Sequence, residues 1–304
     1  MNANRCRFSC LIWLCMLTPG LSVSAQTAAP QPKPPKVVVD RIVEDKVLTG
    51  RLNSKLMARE MPYRVILPDG YSAQKLRQPG YPVLYLLHGL TGHFDNWTDK
   101  TKLVAYAQKY KFIIVTPEGN DGWYTDSVSA PNDKFESYII QELIPEIDKT
   151  YRTLADRNHR AIAGLSMGGY GGMKFGLKYP EMFGLAGSFS GALGAASFSE
   201  KTAGGIGKTI DSIYGPIDSE TRKANDIFLM VKNITPEKIK VLPFLYVDCG
   251  TEDFLFQNNR DFDQLLIEKK VPHEFRELPG GHDWTYWNSQ VKEFLEVAGK
   301  RLGK

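Results

Sequence analysis

Short runs of β-branched and aromatic residues, each bounded by turn formers, alternate along this chain with segments whose apolar positions recur at helical spacing. The runs fall at 37–47, 63–67, 83–87, 112–116, 161–163, 185–189, 244–247 and 274–278. The central ones, such as Val83-Leu84-Tyr85-Leu86-Leu87, are almost purely apolar, as a strand covered on both faces of a parallel sheet must be. Helices are predicted over 103–110, 169–179, 257–270 and 286–301. In a further stretch Phe135, Tyr138, Ile139, Ile144, Ile147 and Tyr151 share a helical face, and Pro145 is expected to kink it. Strands alternating with helices predict an α/β fold, a doubly wound, mostly parallel sheet whose first two strands form an antiparallel N-terminal flank. Sites in such sheets lie at the carboxyl ends of the strands. The stretch 191–230 breaks the alternation and reads either as a lid over the site or as an excursion with a helix or two.

The chain start follows different rules. Arg5 and Arg7 precede the apolar run Leu11-Ile12-Trp13-Leu14-Cys15-Met16-Leu17, followed by Pro19, Gly20 and the small residues Val23-Ser24-Ala25. This order predicts a secretory signal peptide over 1–25, cleaved after Ala25, and hence a secreted or periplasmic protein with no membrane partner after cleavage. Residues 26–36 hold four prolines and no large apolar side chain, which predicts an extended tether before a domain spanning 37–304. Cleavage would remove Cys6, Cys10 and Cys15, leaving Cys249 without a disulfide partner.

Composition narrows the classes. With 304 residues, 42% hydrophobic and 24% charged, the chain is neither collagen-like, coiled-coil nor disordered. Its 38 Lys+Arg against 34 Asp+Glu show no basic stripe interleaved with aromatics, which argues against a nucleic-acid partner.

The chemistry concentrates in Gly164-Leu165-Ser166-Met167-Gly168, a G-x-S-x-G element between a predicted strand and a predicted helix. Such a turn lifts a serine hydroxyl clear, and the following helix points N–H groups at developing negative charge. Serine needs a base, held in turn by an acid. Of the two downstream histidines, His282 lies in a loop after the last strand, whereas His273 opens that strand at its far end. Asp253, just past Gly250, is the preferred acid, with Asp248 and Glu252 as competitors. Met167 N–H is one expected oxyanion donor, and Leu90 N–H, with Gly89 as fallback, is the other. His88 and His93 lack a third ligand at useful spacing and are read as structural, so no metal is expected. Trp97, Trp123, Tyr124 and Trp284 are expected to wall a substrate cleft at the same sheet end.

With these residues in hand, the chain resembles the esterase D group of the α/β-hydrolases, which includes S-formylglutathione hydrolases, tributyrin esterases, feruloyl esterases and mycolyltransferases. The matching pieces are Tyr63-Arg-Val-Ile-Leu-Pro, Tyr85-Leu-Leu-His-Gly-Leu-Thr-Gly, Gly122-Trp-Tyr-Thr-Asp-Ser, Gln141-Glu-Leu-Ile-Pro and Ala163-Gly-Leu-Ser-Met-Gly-Gly-Tyr-Gly, with the Asp253 and His282 segments. The resemblance implies an α/β-hydrolase fold and a cofactor-free carboxylesterase working through an acyl-enzyme on Ser166, Asp253 and His282. Export and the aromatic cleft direct the substrate expectation to acetyl or feruloyl esters of plant polysaccharide. Acyl transfer of the mycolyltransferase type and a thioesterase resembling S-formylglutathione hydrolase are the alternatives.

Overall fold

The computed structural model describes residues 46–71 and 79–302, so the expected signal peptide, the tether and nearly all of the 37–47 run lie outside the described residues. Among the described residues eight strands form one sheet: β1 (Val47–Ser54), β2 (Arg59–Ile66), β3 (Val83–Leu87), β4 (Ile113–Pro117), β5 (Arg160–Leu165), β6 (Leu185–Phe189), β7 (Phe244–Gly250) and β8 (His273–Leu278). Their order is β1-β2-β4-β3-β5-β6-β7-β8. The antiparallel flank is present, and among the described residues its first strand is Val47–Ser54. That segment alternates exposed and half-buried positions and lacks the apolar run that marks the interior strands. From β4 onward all neighbours are parallel.

The chain leaves β3, pairs β4 on one side of it and then returns to place β5 on the other. This reversal is the topological switch point, where a crevice opens at the carboxyl strand ends. Strands β3, β4, β5 and β6 are buried at every position. Because side chains alternate across a strand, Val83, Tyr85 and Leu87 join the core on one face while Leu84 and Leu86 join the core on the other. At the edge, β8 carries Glu274, Arg276 and Glu277, charges that discourage pairing with another chain.

Helices cover both faces. In chain order they are α1 (Asn96–Lys100), α2 (Leu103–Ala107), α3 (Phe135–Ser137), α4 (Ile144–Thr150), α5 (Met167–Lys178), α6 (Glu200–Tyr214), α7 (Glu220–Lys223), α8 (Ile227–Lys232), α9 (Pro236–Val241), α10 (Phe256–Glu268) and α11 (Trp284–Leu302). The expected kink near Pro145 takes the form of a π-helical turn, Tyr138–Leu143, between α3 and α4, where Ile144 N–H reaches back to Ile139 O. Proline has no N–H to give the preceding turn, and the wider turn absorbs that defect. The excursion after β6 is tied down by the buried Arg222. Its guanidinium donates to Gly215 O at 2.9 Å, Ala196 O at 2.8 Å and Phe198 O at 2.7 Å, and it pairs with Asp211. No helix among the described residues is long and apolar enough to cross a membrane.

Candidate active site

Ser166 sits between β5 and α5 with φ 53° and ψ −115°, a left-handed backbone costing about 1–3 kcal/mol for a residue with a Cβ. The turn is held in that shape from both sides. Ser166 N–H donates to Phe189 O at 2.9 Å, and Ser166 O accepts from the N–H groups of Tyr170 and Ala192, each at 3.0 Å. Glycine is required at both flanks. A Cβ on Gly164 would lie 2.5 Å from Gly168 O, and one on Gly168 would lie 2.5 Å from His88 O.

The loops after β7 and β8 bring the other two groups in. Gly250 and Gly280 pass so closely that a Cβ at Gly250 would meet Gly280 O at 2.1 Å. Glu252 N–H donates to Gly280 O at 3.0 Å, and the Glu252 carboxylate accepts from Gly280 N–H. Glu252, a competitor for the acid position, thus braces the histidine loop. Asp253 Oδ2 lies 2.8 Å from His282 Nδ1, and His282 Nε2 lies 3.0 Å from Ser166 Oγ. Burial alone would raise the Asp253 carboxyl, but His282 and the Leu255 amide outweigh it and hold the group below its ordinary value. An ionised Asp253 accepts from Nδ1–H, which leaves Nε2 free to accept the serine proton. The ring of His282 stands between Phe254 at 4.5 Å and Trp287 at 4.9 Å.

The other candidates lie elsewhere. Asp248 is fully buried beside Tyr246 and Tyr286, and burial pushes its carboxyl well above the usual range. His273 pairs with Asp263 at 2.7 Å.

His88 is buried and reads the loop after β3 in both directions. Gly89 O, which can only accept, takes a hydrogen bond from His88 Nδ1 at 2.8 Å, while Nε2 lies 2.9 Å from Gly119 N and 3.2 Å from Glu118 Oε1. Gly92 N–H also donates to Gly89 O at 3.1 Å. In a trans peptide the C=O and the following N–H point oppositely, so anchoring Gly89 O turns Leu90 N–H away from His88. Leu90 lines the cavity beside Ser166, and Met167 N–H opens α5 directly after it. Beneath this loop, burial works to raise Glu118, but hydrogen bonding to His88 and to the Asn120 amide lowers it to about 2.

The cavity above Ser166 has a volume of about 450 Å³ and reaches from Gly89 and Leu90 to Trp123, Phe198 and Ile206 on one side and Trp284 and Trp287 on the other. Two expected wall residues are corrections. Trp97 is fully buried, with its indole N–H donating to Leu87 O at 2.9 Å and its ring against Phe189 and Trp284. Tyr124 is fully buried, its hydroxyl donating to His88 O at 2.9 Å. Both follow strands that end at the site, but a side chain directed back into the sheet layers cannot be told from one directed outward by position alone.

Trp123 and Tyr124 carry positive φ values of 50° and 51°, two strained residues in succession. The clamp that holds them was not anticipated. Lys174 of α5 is wholly buried and donates to Tyr124 O at 2.6 Å, Thr125 Oγ1 at 2.6 Å and Glu136 Oε2 at 2.8 Å. A lysine in the otherwise apolar run Met173-Lys174-Phe175-Gly176-Leu177 was the available signal.

A family model described as putative esterase matches residues 54–296. An acetyl esterase of Caldicellulosiruptor saccharolyticus is 29% identical over 262 residues, which span 81% of this chain and 96% of that protein. A solved ferulic acid esterase is 30% identical, covers 84% of this chain and 98% of its own, and superposes with a TM-score of 0.72. A solved fluorophosphonate-binding serine hydrolase of Staphylococcus aureus, in a substrate-bound form, is 25% identical over 83% of this chain and 97% of its own, with a TM-score of 0.73. The architecture they share with this chain is the α/β-hydrolase fold.

Proposed function

This chain belongs to the putative esterase family and hydrolyses carboxylic esters, and we propose that it does so through an acyl-enzyme on Ser166. Ser166 Oγ attacks the ester carbonyl while His282 Nε2 takes its proton. Asp253 keeps the imidazole in the required tautomer and offsets its transient positive charge. The amides of Leu90 and Met167 receive the oxyanion, an effect worth about 3–4 kcal/mol per donor. His282 then passes the proton to the departing alcohol, and the same base activates the water that frees the acid. The observation that carries this reading is the unbroken relay from Asp253 through His282 to Ser166, at 2.8 and 3.0 Å.

The substrates proposed are acetyl or feruloyl esters of plant polysaccharide, supported by an acetyl esterase and a ferulic acid esterase among the similar proteins and by Trp123 in the cavity wall. Residues 1–25 are proposed as a cleaved export signal, which places the enzyme outside the cytoplasm with such polymers; N-terminal sequencing of the exported protein should begin at Gln26.

Turnover of acetyl, butyryl, octanoyl and feruloyl esters by the wild type and by Ser166→Ala tests the proposal. The variant should lose nearly all activity, and the wild type should favour acetyl and feruloyl groups. Full hydrolysis of p-nitrophenyl acetate by Ser166→Ala excludes Ser166 as the nucleophile.

A further inference from the structure

The two sides of the catalytic cavity differ in chemistry. On the histidine side, aromatic rings lead outward from the imidazole. Trp287 lies 4.9 Å from His282, Trp284 lies 5.2 Å from Trp287, and Lys100 Nζ stands 5.1 Å above the Trp284 ring. Lys100, Asn96 and Trp284 all line the cavity. Because His282 Nε2 must reach the leaving oxygen, the alcohol portion of the ester occupies this side.

Among the described residues the exposed Lys100 makes no ion pair, and its ammonium sits over the face of Trp284. The neighbouring Asp99 is already paired with Arg64. Trp287 is 6% exposed, and its buried indole N–H has no acceptor. Asp283 is the one carboxylate on this wall outside the relay among the described residues. Its Oδ1 is committed to the N–H groups of Thr285 at 2.8 Å and Tyr286 at 3.0 Å, at the start of α11. An ammonium without an ion-pair partner, on a wall whose one carboxylate has an oxygen tied to the start of α11, is complementary to a negative charge on the leaving group.

We infer that Lys100 over Trp284 forms a leaving-group subsite selecting esters whose alcohol or phenol carries a carboxylate, such as a hydroxybenzoate or a uronic acid. This rests on the esterase reading of Ser166 and His282 and adds the charge of the leaving group to it. The indole face holds the ammonium at the cavity rim, so the charge sits where the alcohol departs.

Two acetyl esters isolate the effect: 4-acetoxybenzoate and its neutral counterpart, methyl 4-acetoxybenzoate. The readout is the ratio of their kcat/KM values, divided by the ratio of their hydroxide-catalysed rates. The wild type should favour the anion at low salt, and the preference should shrink as sodium chloride is added. Lys100→Gln should lower the ratio about three- to fivefold, Lys100→Glu should lower it further, and Lys100→Arg should keep it. A ratio that is the same in wild type, Lys100→Gln and Lys100→Glu, with both esters turned over, overturns the subsite alone. An enzyme inert toward both esters overturns the subsite together with the esterase reading beneath it.

Discussion

Replacing Lys174 with Met would test how the wall of the cavity is held. The ammonium binds Tyr124 O, Thr125 Oγ1 and Glu136, and no water is needed to explain its burial. Removing one partner of a buried ion pair costs about 3–5 kcal/mol. Here Glu136 keeps Lys178 at 2.5 Å and the Tyr179 hydroxyl at 2.6 Å, which places the loss near the lower end. Against this, the loop gives back part of the ~1–3 kcal/mol of strain held at each of Trp123 and Tyr124 as it relaxes. The expected net loss is about 2–4 kcal/mol in urea unfolding. Relaxation also withdraws Trp123 from the cavity wall, so kcat/KM should fall more for feruloyl than for acetyl esters. Burial drives Lys174 down to about 8, against the pull of Glu136. Because the folded value lies below the unfolded one, the native state holds fewer protons than the unfolded chain across that window. The stability of the wild type over Lys174→Met should therefore widen as pH rises from about 8 toward the ordinary lysine value of about 10.4. Stability within about 0.5 kcal/mol of wild type, with unchanged selectivity, would refute the clamp.

Two further outcomes follow from the site. His88→Ala leaves the Gly89 carbonyl held by the Gly92 amide alone and so loosens the Leu90 amide, and should lower kcat about 10–100-fold with little change in KM; an unaltered kcat would show that the loop is held without this side chain. Asp248→Asn removes a carboxyl that burial pushes upward. A raised acid stabilises fully below its unfolded value and loses that contribution as pH rises through its folded value, so the Tm of the variant should gain on wild type from acid to neutral pH. A Tm difference independent of pH would contradict the assigned shift.

Much of this molecule was legible in one dimension. Apolar runs such as Val83–Leu87 and Leu185–Phe189 have no structural alternative once both faces must be covered, and they appear with their expected bounds. The elbow around Ser166 was equally plain, because Gly164 and Gly168 are demanded by backbone packing within a few residues. Local sterics write themselves into local sequence. The strand at Val47–Ser54 was not legible because its half-exposed pattern lacks the apolar run that marks the interior strands, and the expected run at 37–47 lies almost wholly outside the described residues.

What the chain order left open, burial and direction decided. Asp253, Asp248 and Glu252 lie within five residues at one sheet end, yet one meets His282, one is sealed beside Tyr246 and Tyr286, and one braces Gly280. Trp97 and Trp123 both follow strands that end at the site, and only Trp123 lines the cavity. Lys174, Lys100 and Arg222 became informative only once their partners were known, from segments up to 50 residues away in the case of Lys174 and Tyr124. Residue type and spacing determine which groups can act, but the surroundings that set charge and orientation are assembled by folding.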